Sequence, residues 1–166
     1  MRIGRGRASR YALRQVWAGL DDSRFPIFRV TRQGTAIPAG ELITLAAHHS
    51  LWTPDSISNG LPTELADARP SGFLGRHFAA RHADLRLPAR LSDWSDHHVL
   101  IAMSRRGEDQ PGDLIIGEES FARWQLLENR AVTRDQYPAI AAATIAGTWN
   151  VTHTVASIKP KIRGFG

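Results

Sequence analysis

Apolar and polar positions follow two different periods along this chain. Between residues 25 and 53 the apolar residues come in short, interrupted runs. Phe25, Ile27 and Phe28 precede a turn at Gln33-Gly34, Leu42, Ile43 and Leu45 follow Gly40, and Leu51 and Trp52 stop before Pro54. This spacing predicts a β-meander with one wet face. Residues 54–61 are rich in Asp, Ser, Asn, Gly and Pro and read as a loop. Pro62 opens a short helix through Leu65, and Pro70 stops it. From Gly72 the period lengthens. Phe73, Leu74, His77, Phe78 and Arg81 recur at three- and four-residue steps, which predicts a helix to about Leu85.

A second helix is framed by its ends. Ser92-Asp93-Trp94-Ser95-Asp96 supplies caps and acids that suit a helix N-terminus. Val99, Leu100, Ala102 and Met103 fall on its inner side, and Arg105 and Arg106 suit its C-terminal end. Gly107 reads as a left-handed stop. Pro111-Gly112 turns into a strand at Leu114-Ile115-Ile116, and Glu118–Leu127 is helix or strand with Phe121 and Trp124 buried. Arg134–Ala146 reads as a final helix. At the other end Ile3, a Gly4-Arg5-Gly6-Arg7 tip and Arg10–Leu13 have the form of a hairpin. The expected core is Phe25, Phe28, Leu42, Leu45, Trp52, Phe73, Phe78, Trp94, Leu100, Ile115 and Trp124. The fold class that follows is α+β, a small antiparallel sheet with short helices.

Charge changes the picture at the N-terminus only. The chain of 166 residues carries 21 basic and 16 acidic side chains, a net +5. Residues 1–14 hold five arginines and no acid, so the rest is balanced. A basic arm on a neutral body suggests contact with a polyanion. An arginine-tipped hairpin has the shape of a winged-helix wing, and Arg2, Arg5, Arg7 and Arg10 would then reach DNA. A recognition helix would precede such a wing, and the arm alone binds DNA weakly. The chain has no cysteine, which excludes disulfides and thiolate metal sites and agrees with a cytoplasmic protein. The long uncharged stretch between Asp135 and Lys159 is interrupted by Pro138, Asn150 and His153, and a membrane partner is not expected.

Few residues suit catalysis. Gly4-Arg5-Gly6 lacks the third glycine and the following βαβ unit of a dinucleotide site. Neither His48-His49 nor His97-His98 chelates alone, and capping accounts for Asp93 and Asp96 without a metal. There is no G-x-S-x-G elbow, and Ser71 beside Gly72 serves as a helix cap. Phosphoryl transfer needs a lysine on the phosphates, an aspartate base near an asparagine, and a metal-binding aspartate. The only lysines are Lys159 and Lys161, and the only asparagines are Asn59, Asn129 and Asn150. No catalytic, cofactor-binding or metal-binding residue is expected, and no cofactor.

Three segments nonetheless carry a resemblance. RPSGFLGR (Arg69–Arg76), DWSDHHVLIAMSRRGEDQPGDLIIGEE (Asp93–Glu119) and IGRGRASRYAL (Ile3–Leu13) resemble, in order and spacing, the N-terminal subdomain of HipA-type serine/threonine kinases of bacterial toxin–antitoxin systems, in the branch that begins with a winged helix. The resemblance implies a small unit of antiparallel strands and short helices that packs on a kinase core. It divides the chain into a wing-like hairpin over 1–14, a subdomain-like module over 24–146 and a divergent tail over 147–166. The tail departs from the family before its phosphate-binding loop, which reads as a truncated or frame-shifted gene. The parent family is ATP-dependent, whereas this chain is expected to be non-catalytic.

The resemblance also implies a role and a surface. The role is protein–protein docking, through Arg69, Gly72, Gly75 and Arg76 and through Arg105, Gly107, Asp109 and Gly112. The partner is the kinase core, a separate HipA-like kinase restrained in trans, or an antitoxin. A DNA-binding regulator acting through the basic arm is the other reading.

Overall fold

The computed structural model describes residues 2–3, 10–31, 34–53, 56–70, 72–108, 110 and 112–126. Strand β1 (Arg2–Ile3) pairs antiparallel with β2 (Arg10–Tyr11), as a hairpin requires. The tip, with Arg5 and Arg7, lies outside the described residues, as do Asp109, the expected helix over 134–146 and the tail.

Five further strands form one antiparallel sheet. They are β3 (Arg24–Val30), β4 (Ala36–Thr44), β5 (His49–Trp52), β6 (Ser56–Asn59) and β7 (Leu114–Ile116). Their spatial order is β6-β5-β4-β3-β7. Strand β7 thus returns, after two helices, to the edge beside β3. The helices are α1 (Gly72–Arg81), α2 (Asp96–Arg106) and α3 (Glu118–Leu126). This is the small α+β fold that the pattern predicts.

Alternation along the strands assigns each side chain to a face. Phe25, Ile27, Leu42, Leu114 and Ile116 join one core with Phe78 and with Val99 to Met103 of α2. Ile115 points the other way and packs with Val30 and Trp124. Phe28 stacks on Phe121 there, with ring centroids 3.9 Å apart. Ile43, Leu45 and Leu51 form a third cluster, against which Ala12 packs. The expected wet face is therefore covered in two places. Helix α3 covers one half, and the segment after β2 covers part of the other.

Beyond Leu13 the sequence pattern predicts no element for that segment. Arg14 bridges Leu45, and the Gln15 and Ala46 amides donate to Thr44 and Leu13 carbonyls. Trp17 and Leu20 then enter the main core, and Trp17 Nε1 donates to the Leu45 carbonyl at 3.0 Å. Every residue of α2 from Val99 to Ser104 is buried, because the sheet lies on one side and this segment closes another.

Other expectations are corrected. The loop over 54–61 contains β6, an edge strand whose Ser and Asn side chains face solvent more than core. The helix expected from Gly72 to Leu85 stops at Arg81, and Ala83–Leu85 form a separate 3-10 turn. Leu91–Asp93 is also a 3-10 turn, so α2 starts at Asp96 with Ser95 as its N-cap. Gly107 is right-handed (φ −86°, ψ 0°), not left-handed. Its hydrogen matters for another reason, since a Cβ there would collide with the Met103 carbonyl. Of the expected core, Phe25, Leu42, Leu45, Phe78, Leu100, Ile115 and Trp124 are buried, while Phe28, Trp52 and Trp94 are partly buried against it.

Candidate interaction surface

Arg69 and Arg105, one from each group of expected interface residues, lie at opposite ends of α2. Arg69, just ahead of α1, reaches the first residue of α2, where Arg69 Nη2 donates to Asp96 Oδ1 at 3.1 Å. The other carboxylate oxygen, Asp96 Oδ2, accepts the Leu61 amide at 2.9 Å. Gly60 leaves the space for it, because any Cβ at Gly60 would collide with Asp96 Oδ2. One aspartate thus holds the end of β6, the approach to α1 and the start of α2. Its place in the first turn also suits the helix dipole.

Arg105 and Arg106 occupy the other end, ten residues along, or about 15 Å of helix. Arg105 Nη2 donates to Asp21 Oδ2 at 2.6 Å and so ties α2 to the segment before β3. Arg106 is the more buried, with 17% of its side chain exposed. It pairs with Asp84 after α1 at 2.8 Å and with Glu119 of α3 at 2.5 Å. The chain is closed here without a left-handed residue. Buried Ser120 accepts the Gly107 amide at 2.8 Å and donates to the Met103 carbonyl at 2.7 Å. Its hydroxyl links the Gly107 amide to the Met103 carbonyl four residues back, at the end where helix carbonyls lack partners.

Arg69 and Arg105 therefore make contacts within the fold. Gly72, Gly75 and Arg76 lie on α1, and Gly112 lies in the turn before β7 with φ +99°. Arg2 and Arg10 lie on the paired strands β1 and β2.

Successive side chains on a helix leave it in different directions, yet the rings of His97 and His98 lie 4.0 Å apart. Both bend back toward the N-cap, with Ser95 Oγ 2.8 Å from His97 Nδ1 and 2.9 Å from His98 Nδ1. The Ser95 amide donates to His98 Nδ1 at 3.1 Å, so His98 takes the place of the Glu or Gln of a capping box. Partial burial, then the charge of His97, holds the His98 imidazole below its ordinary pKa of 6.5. Among the described residues no group of three His, Asp or Glu is arranged to hold a metal ion. No helix among them is long and apolar enough to cross a membrane.

The most exposed apolar side chains lie near the two ends of the described chain, while Ile37 and Ile57 are exposed on the sheet between them. Tyr11 and Leu13 are 80% and 73% exposed, Val16 is about half so, and Leu126 at the end of α3 is 84% exposed. Sequence spacing missed this, because the hairpin reading assigned Tyr11 and Leu13 only as alternating strand residues.

The described fold is a small α+β module with closed helix ends and exposed apolar side chains near its margins. Residues 21–125 match the family described as "YjjJ-like toxin, middle domain", and the chain belongs to that family. Among curated proteins, Toxin YjjJ of Escherichia coli (strain K12) is 32% identical over 163 residues, covering 89% of this chain and 35% of the relative. The chain thus spans about a third of the length of the curated relative it matches. No solved structure matches it.

Proposed function

We propose that this chain is a non-catalytic docking module of a toxin of the YjjJ-like family, of the HipA-related kinase kind. The observation that carries this reading is where its most exposed apolar side chains lie. The family match runs over 21–125, and Tyr11, Leu13 and Val16 precede it while Leu126 follows it. A domain described as a middle domain has neighbours on both sides, and apolar side chains at its margins suit contact with them. The lack of a phosphate-binding lysine in the fold agrees with a scaffold whose partner does the chemistry. In this reading Arg69, Arg105 and buried Gly107 shape the two ends of α2, and Gly72, Gly75, Arg76, Asp109 and Gly112 line the contact. The partner is the kinase-like remainder of the toxin.

Hydrogen exchange tests this. Segments 11–16 and 118–126 of the isolated chain are expected to exchange faster than the corresponding segments of intact Toxin YjjJ. Equal exchange in both settings would remove the support for docking.

A second reading rests on the pairing of β1 with β2, which gives the basic arm the form of a wing. Arg2, Arg5, Arg7 and Arg10 would then contact DNA. Replacing all four with serine is expected to weaken DNA binding and flatten its salt dependence by about one power-law unit per lost phosphate contact. An unchanged salt dependence would end this reading.

A further inference from the structure

The five-stranded sheet has two edges that differ in kind. Strand β7 forms one, and its three residues are all buried. Strand β6 forms the other, and among the described residues no strand pairs with its outer side. The register tells which backbone groups point outward there. The Gly60 amide donates to the His48 carbonyl at 2.7 Å, so Gly60 turns its backbone groups toward β5. Backbone direction alternates along a strand. Ser56 and Ser58 therefore also face β5, while Ile57 and Asn59 turn their amides and carbonyls away.

An open row of donors and acceptors is a template for another strand, and edges are commonly blocked by charge, proline or a bulge. Ser56-Ile57-Ser58-Asn59 holds no charge and no proline, and its ladder with β5 runs without a register shift. Pro54 and Asp55 come before it in the chain. The side chains are as open as the backbone. Ile57 lies opposite Leu51, on the face of the Ile43, Leu45 and Leu51 cluster. Leu51 is 1% exposed and Ile57 is 37% exposed. The apolar layer on that face thus stops at an open side.

We propose that β6 pairs antiparallel with β6 of a second copy of this chain. Self-complementarity selects this occupant. A two-fold axis at Ile57 sets Ile57 opposite its own copy and Ser56 opposite Ser58 of the other chain. The outward amide and carbonyl of each Ile57 then exchange two hydrogen bonds across the axis. The two isoleucines form a cross-strand apolar pair that joins the Leu51 cluster of one sheet to that of the next. Within the strand no charge meets its like. Moving the axis to Ser58 would instead set Ile57 against Asn59 and lose the match. Four residues cover much less than the roughly 1,200 Å² of a standard interface, so the dimer is weak and forms at high concentration. The inference does not rest on the docking reading, which uses other residues.

Sedimentation equilibrium of the whole chain, run up to near-millimolar concentration, tests the proposal. The parent chain is expected to approach a dimer. Ile57→Lys sets like charges opposite each other and should weaken association roughly tenfold or more. Circular dichroism of the variant checks that the fold is kept. The chain has no cysteine, so one introduced thiol reports the register by itself. Ile57→Cys is expected to oxidise readily to a linked dimer, because opposed residues lie within about 5.5 Å. Asn59→Cys is expected to oxidise far more slowly, with its own copy about 13 Å along the strand. A parent chain that stays monomeric throughout would overturn the proposal. So would association unchanged in a folded Ile57→Lys variant, or equal oxidation of the two thiol variants.

Discussion

Arg69 and Asp96 lie 27 residues apart and meet at 3.1 Å, where the carboxylate also receives the Leu61 amide. The ion pair itself is more than one-third exposed on both sides, so its own contribution is about 0–1 kcal/mol. The amide bond at Leu61 adds to it, because removing the acceptor leaves a part-buried donor unmet. Asp96→Ala is expected to cost about 2 kcal/mol in a denaturant titration. Asp96→Asn keeps an acceptor and should cost about 1 kcal/mol or less. Equal losses in the two variants would show that charge, not the Leu61 bond, dominates. Gly60→Ala should lower stability by about 2 kcal/mol or more, through its left-handed φ of +75° and its collision with Asp96.

Ser120 closes the other end of α2 from within the core. Its hydroxyl serves the Gly107 amide and the Met103 carbonyl at once. Ser120→Ala leaves both groups buried without that partner and is expected to cost about 1–3 kcal/mol. Chemical denaturation measures this directly. A loss below about 0.5 kcal/mol would mean that another group takes over both bonds.

His98 makes the start of α2 sensitive to acid. The Ser95 amide needs an unprotonated Nδ1 to accept it. Folding lowers the His98 pKa below its ordinary 6.5, so the unfolded chain takes up the proton first. The stabilisation is present above about pH 6.5 and is lost as the pH falls through the lowered folded value. His98→Gln restores an ordinary capping box and should flatten the melting temperature between pH 7 and pH 5, on the order of the window that histidine titration covers. A variant that keeps the same acid loss as the parent would place the effect elsewhere.

The hairpin between β4 and β5 carries an unusual backbone conformation. Ala47 and His48 both have φ 57°, and neither is glycine. Two central residues with positive φ define the type I′ turn that matches strand twist, and Asn-Gly suits it best. Ala47→Asn is expected to raise stability by about 0.5–1 kcal/mol. Replacing His48 is a poorer choice, because its ring packs 6.2 Å from Trp17. A thermal melt of Ala47→Asn that shows destabilisation would contradict this account of the turn.

These residues also explain what was legible in the chain. Helix α2 was readable because caps, acids, an apolar run and terminal arginines agree over its whole length. Strands β3, β4, β5 and β7 were readable from β-branched and aromatic spacing. Strand β6 was not, since Ser56-Ile57-Ser58-Asn59 has a turn-like composition and owes its form to pairing with β5. The Ala47-His48 turn was hidden because it lacks the residues that usually mark it. Trp17 and Leu20 belong to no regular element, and only tertiary packing places them in the core. Arg69 and Arg105 read as surface arginines, yet each finds an acid far away in sequence. Pairings of that range leave no local signal.

The central claim is that this fold docks onto the rest of a toxin. Sedimentation velocity tests it most directly, with the whole chain mixed with the part of Toxin YjjJ that follows the matched region, each shown to be folded. The predicted result is a one-to-one complex that weakens when Leu13 and Leu126 are replaced by aspartate. Independent sedimentation of the two proteins at the highest concentration both tolerate would contradict the claim.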